Sequence, residues 1–217
     1  MEPNNTPAII SAIAGISGVL LGNLFVAVKE WIAVGSRRRS NTVYLAIVVS
    51  SHLDRFANGC LTVAMDDGTS EGRPAGGDGE YRPTTKAPTF QPLDLQVEWK
   101  ALPRPLLHDI LRLPDRREQL QNQLGGIHEY DSDPPEHAPF FWARRRGYAE
   151  LGLHAGQLAQ KLRKAGKVDL KELMESKASR DGLLRQMIES VEAEEDAFRQ
   201  RIMRRQKKTA GKPDSLD

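Results

Sequence analysis

Apolar positions along this chain fall into three regimes. Residues 8–28 run for twenty-one positions without a charge, residues 93–102 alternate apolar with polar, and most of the rest repeats apolar residues every three or four positions. Each regime predicts a different element.

The uncharged run predicts a single transmembrane helix. A hydrocarbon core of about 30 Å needs roughly 20 apolar residues at 1.5 Å rise each, and the only strongly polar side chain here is Asn23. Trp31 suits the headgroup interface and Lys29 can extend outward beside it. The seven residues before Ala8 hold no Lys or Arg, whereas Lys29, Arg37, Arg38 and Arg39 follow within twenty residues of Val28. That asymmetry predicts residues 1–7 outside the membrane, 8–34 as anchor and interface, and the rest of the chain in the cytoplasm. A cleaved signal peptide would need a basic leader and a shorter apolar core, and core helices rarely stay uncharged for so long. Ala14, Gly18 and Gly22 recur at intervals of four, with Asn23 beside them, a pattern that lets membrane helices approach closely.

Beyond the arginines, Tyr44, Ile47, Val48, Leu53 and Phe56 predict a helix over 41–58, broken by Asn58-Gly59. Residues 60–65 read as a strand. Its partner is 93–102, where Leu93, Leu95, Val97 and Trp99 alternate with Asp94, Gln96, Glu98 and Lys100. Residues 66–92, rich in Gly, Pro, Asp and Thr, read as a mobile excursion from that hairpin or a functional flap. Helical spacing returns from Pro105, is interrupted at Pro114 and stops at Gly125-Gly126. A long helix over 139–165 follows, carrying Phe141, Tyr148, Leu151, Leu158 and Leu162, with Gly166 as its stop. These elements place a cytoplasmic α+β domain at 35–166.

The tail, 167–217, turns polar and charged. A short helix over 169–176 precedes one over 181–208, in which Leu184, Ile188, Val191, Glu195, Phe198 and Ile202 step by four and three. That is a coiled-coil seam with one charged interruption, and it predicts pairing with another helix. Acids precede bases along it, as the helix dipole favours. The fold class expected is mainly α (α+β): one transmembrane helix, a helical domain with a small hairpin and a charged C-terminal helix.

Composition narrows the function. The net charge of +2 gives no global polycation, so nucleic acid is disfavoured, although 199–208 is locally basic. Cys60 is the chain's single cysteine, so it has no internal disulfide partner. Arginine outnumbers lysine twenty to eleven, a bias of GC-rich coding that leans towards a bacterial source and hence an inner membrane.

Candidate chemistry is sparse. His128 and His137 bracket an acidic segment, but the spacing is not HExxH, and an acidic loop with incidental histidines is the ordinary reading. Cys60 with His52 lacks any signature of a nucleophile and base. Residues 66–71 lack the ligand spacing of a calcium loop, and no phosphate-binding glycine motif is present. Arg144, Arg145 and Arg146 are consecutive on a helix and so point in different directions. No catalytic residue, cofactor or metal is therefore expected.

The expected function is a single-pass membrane adaptor or scaffold. It contacts lipid, and it contacts a protein partner or itself through the transmembrane helix and the seam at Leu184, Ile188, Val191, Phe198 and Ile202. The rival is a membrane-anchored enzyme acting on a lipid, envelope precursor or cytosolic ligand, with its site beneath 66–92 and near His128 and His137. A third reading is a membrane-bound regulator that touches nucleic acid through the basic end of the tail.

Overall fold

The computed structural model describes residues 6–130, 133–168 and 171–210. Side chains are described from Phe25 onward, except at 27, 32–34, 36–38, 171–178, 205 and 207–210. Positions Ala14, Gly18, Gly22 and Asn23 lie on α1, but their side chains, and those of Arg37 and Arg38, lie outside the described ones.

The chain is mainly helical, and the described residues include one two-stranded antiparallel sheet. Helix α1 spans Thr6–Ala64, α2 Arg104–Leu111, α3 Leu113–Glu129, α4 Ala138–Gly166 and α5 Lys171–Ala210. Among the described residues no helix is long and apolar enough to cross a membrane.

Two expectations about α1 are corrected. The helix does not break at Asn58-Gly59, and residues 60–64 are its last turns rather than a strand. Gly59 is there for a close approach: a Cβ on it would lie 2.7 Å from Cβ of Pro88. The glycine thus admits a returning loop instead of ending the helix. Cys60, Val63 and Ala64 continue the buried stripe of Leu53, Phe56 and Ala57 at helical spacing.

With no strand at 60–65, residues 93–102 have no ladder to join. They form single-turn 3-10 helices at Pro92–Asp94 and Trp99–Ala101, joined by short-range bonds in which Val97 N donates to Leu95 O and Trp99 N to Val97 O. Consecutive turns of this kind preserve a two-residue period. Leu95, Val97 and Trp99 pack against the core while Gln96, Glu98 and Lys100 face out. The alternation therefore reports which side is buried and not a sheet. The sheet itself is tiny, β1 Thr69–Ser70 against β2 Arg73–Pro74, closed by Glu71 and Gly72 at φ 53° and 75°.

Pro114 falls in the first turn of α3 and separates it from α2, as expected. Gly125-Gly126 does not stop α3, which continues to Glu129. Helix α4 matches its expected span within a residue at each end and closes on Lys167 in the left-handed conformation. The two helices expected in the tail are one, α5.

Helix α4 is the centre of the packing. Its Tyr148, Leu151, Ala155, Leu158, Ala159 and Leu162 meet Leu45, Val49, Leu53, Phe56 and Cys60 of α1 in one core. The two helices run antiparallel: Gly166 lies against Ala46, Arg163 bonds to Ser50 O, and Arg144 reaches Val63 O. Helix α5 packs on α4 through small residues. A Cβ on Gly152 would lie 3.2 Å from Leu184, and one on Gly156 would lie 2.7 Å from the Arg180 guanidinium. Leu184 and Val191 are fully buried, and Phe198 meets Trp142 edge-on at 5.2 Å. The first part of the expected seam thus pairs with α4 of the same chain, while Ile202 and Met203 remain 39% and 59% exposed.

Candidate functional site: a roofed cleft between α3 and α4

The most heavily bonded side chain in irregular structure is Asp66, two residues past the end of α1. Its Oδ1 accepts from Gly68 N at 3.1 Å and Thr84 Oγ1 at 2.9 Å. Its Oδ2 accepts from Thr84 N, Thr85 N and Thr85 Oγ1 at 2.9, 2.9 and 2.7 Å, and from Arg144 Nη1 at 2.9 Å. Arg144 also donates to Thr85 O at 2.8 Å. The two side chains are 6% and 1% exposed, so this is a buried ion pair with its hydrogen-bonding capacity filled. Burial alone would raise the Asp66 carboxyl, but the bonds from Thr85, Thr84 and Gly68 outweigh it and hold its pKa at about 2.

This pair fixes residues 80–87 in place. A second tie comes from Tyr81 N, which donates to Pro135 O at 3.0 Å. The fixed segment roofs a cleft of ≈ 780 Å³. Gln121, Leu124, Gly125 and His128 supply one wall, four positions of a single face of α3. His137, just before α4, and Phe140, Arg144 and Tyr148 of α4 supply the other. The His128 ring sits 5.3 Å from Phe140 and 5.4 Å from His137, all tilted, which makes a continuous aromatic wall. Burial pushes the Tyr148 phenol up, and its hydroxyl bonds Gln121. Arg82 binds Asp78 and Glu80, both through Nη2, at 2.8 and 3.0 Å.

The histidines and residues 80–87 of the 66–92 segment line the same cleft. What the sequence did not signal is the pair that holds them, because Asp66 and Arg144 are 78 residues apart. Among the described residues no group of three His, Cys, Asp or Glu side chains could hold a metal ion.

The arginine triplet does point three ways, and each member finds an acid. Arg144 takes Asp66, Arg145 takes Glu194 at 3.0 Å, and Arg146 takes Glu195 at 2.9 Å. Trp142 Nε1 donates to the same Glu194. A further buried network links the other end of α4 to its neighbours. Arg163 and Arg180 both engage Asp54, and Arg180 also binds Asp181 at 2.9 Å. These are clamps between helices, not reactive groups.

Cys60 is buried against Gly152, and that burial pushes its thiol up to about 12. Burial of this kind disfavours the thiolate that a nucleophile needs. His52 lies two helical turns away along α1, roughly 12 Å by rise, and lines a different recess with Pro88 and Phe90. Asp67 accepts from Thr69 N and Oγ1 at 3.0 and 2.7 Å, an ordinary turn. Lys29, Trp31 and Arg39 are exposed on α1.

No protein-family model, curated protein or solved structure matches the chain.

Proposed function

We propose that the protein is a single-pass membrane adaptor, anchored by residues 8–28 with its helical domain in the cytoplasm, and that the membrane is a bacterial inner membrane. The single observation that carries this reading is the state of α1 before the domain begins. Phe25, Val26 and Trp31 are 72%, 53% and 79% exposed, on a helix that continues into the core at Leu45. Large apolar groups in such a row are unfavourable in water and favourable in a bilayer. The uncharged run ends three residues after Phe25, and Arg39 is exposed, on the side that the positive-inside bias would put in the cytoplasm. Close pairing of anchors through Ala14, Gly18, Gly22 and Asn23 belongs to the same proposal.

Helix length favours an adaptor over an enzyme acting on lipid. From Val28 to Val63, beside the cleft, α1 advances 35 residues, or roughly 50 Å at 1.5 Å per residue. A site that far along a helical stalk is out of reach of a lipid that stays in its bilayer. Nucleic acid is disfavoured again, because Glu195 and Asp196 pair with Arg199 at the start of the basic run.

The partner surface we assign is the free end of α5, at Ile202 and Met203, since α4 already covers Leu184 and Val191. Truncation at Gly166 would strip that cover from α4, so substitution is the cleaner probe. The full chain, captured from solubilised native membranes, is expected to bring down one stoichiometric cytoplasmic protein. Ile202→Glu with Met203→Glu is expected to lose it while the protein stays in the membrane. Equal recovery with the double variant, or no partner with either form, contradicts the adaptor reading.

A further inference from the structure

We propose that the recess between α1 and the 85–91 loop, separate from the α3–α4 cleft, binds a small free phosphate monoester. One wall is α1, where His52, Arg55, Gly59 and Thr62 follow steps of three and four and so share a face. The loop supplies the other wall through Thr85, Lys86 and the stretch from Pro88 to Gln91. Three ties hold that loop before any ligand arrives. Thr85 donates from N and Oγ1 to Asp66. Pro88 lies so close to α1 that a Cβ on Gly59 would come within 2.7 Å of it. Phe90 packs on Phe56, with ring centroids 5.9 Å apart. A preset wall lowers the ordering cost of binding. The recess measures ≈ 650 Å³, within the ~300–1,000 Å³ typical of small-molecule sites.

The charge of its lining selects an anion. His52, Arg55 and Lys86 line it, and no carboxylate does. Among the described residues, the side chain of neither Arg55 nor Lys86 has an ion pair or a hydrogen bond. The α3–α4 cleft differs here, because Asp66, Asp78 and Glu80 answer its arginines. Asp54, the acid beside Arg55 in sequence, is engaged by Arg163 and Arg180. A concavity lined by one sign of charge focuses the field and draws the opposite sign. Thr62 and Thr85 donate their hydroxyl protons to Asn58 O and Asp66. The donors open to a ligand are the guanidinium, the ammonium, an imidazole N–H, the Thr89 hydroxyl and the Gln91 amide. Two fixed cations match a dianion better than a single carboxylate. A phosphate monoester carries about −1.5 to −2 near neutral pH and presents three acceptor oxygens. The planar fork of Arg55 suits two of those oxygens, and Lys86 adds a point charge. Phe56, Pro88 and Phe90 give apolar surface to the group that bears the phosphate. The inference does not depend on membrane insertion, because the recess lies within the helical domain.

The test is calorimetric titration of the full chain in detergent micelles, at neutral pH and low salt, with phenyl phosphate. Methyl phenyl phosphate, which keeps the ring but carries one charge, is the comparator. Saturable binding with a sub-millimolar Kd is expected, and the comparator should bind at least about tenfold more weakly. Arg55→Gln with Lys86→Gln should also cost at least about tenfold. Both side chains are exposed, so the double variant keeps the fold. Arg112→Gln, at an exposed position after α2 and outside the recess, should leave the affinity unchanged. A lipid headgroup is the other source of a phosphate monoester. Phosphatidic acid added to the micelles is expected not to compete. The proposal is overturned if phenyl phosphate shows no saturable binding, if the comparator binds as well, or if the double variant binds like the parent. Equal loss with Arg112→Gln, or competition by phosphatidic acid, overturns it too.

Discussion

At the scale of single residues, the molecule concentrates its buried charge at two places along α4. Asp66 with Arg144 holds the roof at one end, and Asp54 with Arg163 and Arg180 clamps three helices at the other. Removing one partner of a buried pair leaves the other charge uncompensated, at a cost of about 3–5 kcal/mol. Asp66→Asn is therefore expected to lower stability to urea by about 3 kcal/mol at pH 7. The pH dependence has a definite sign. The folded Asp66 carboxyl, at about 2, lies below its ordinary value of 3.8. Its contribution is thus complete above pH 4 and is lost as pH falls towards 2, amounting to roughly 2 kcal/mol. Urea titrations of the micelle-bound protein at pH 7 and pH 3, followed by tryptophan fluorescence, check both points. The parent should lose more stability than Asp66→Asn over that interval, and equal losses would show that Asp66 is not the group responsible.

At the scale of elements, backbone proximity decides what local propensity leaves open. Helix α4 was legible because a long amphipathic stripe ends at a glycine, and both signals agree with the fold. Helix α1 was not, because Gly59 carries the composition of a stop but serves the contact with Pro88. The strand read at 93–102 failed for a related reason: its alternation is real, but a sheet needs a second strand, and the only sequence nearby that resembled one is helical. Gly166 both ends α4 and permits contact, since a Cβ on it would lie 2.4 Å from Cβ of Ala46. Gly166→Ala is expected to destabilise the domain by about 1–3 kcal/mol through overpacking, despite the better helix former. Adding Ala46→Gly should recover part of that loss. A double-mutant cycle in urea tests the coupling, and simple additivity would rule out the contact as its cause.

The candidate site divides along the same line. His128 and His137 stood out in the sequence because two imidazoles flank an acidic, proline-containing segment, and the cleft does gather them. Arg144 was visible only as part of a triplet, and Asp66 only as part of an acidic turn. Their pairing depends on α4 lying antiparallel to α1, a tertiary fact with no local signal. The seam on α5 was legible as a pattern, but its partner was not, because the pattern cannot say whether the facing helix belongs to another chain or to α4.

At the scale of the whole molecule, one helix connects everything. The proposed anchor, the basic stretch and the α1 half of the core are successive parts of the one helix Thr6–Ala64. A domain held on such a stalk presents its cleft and the free end of α5 to the aqueous phase, well away from the lipid surface. The proposed adaptor function depends on the apolar start of α1 being embedded. The most direct measurement is alkaline carbonate extraction of membranes from cells expressing the full chain, followed by flotation through a density gradient. Retention of the protein with the floating membranes is the predicted result. Release of the full-length protein into the carbonate supernatant would contradict the anchor and, with it, the adaptor function proposed for the domain.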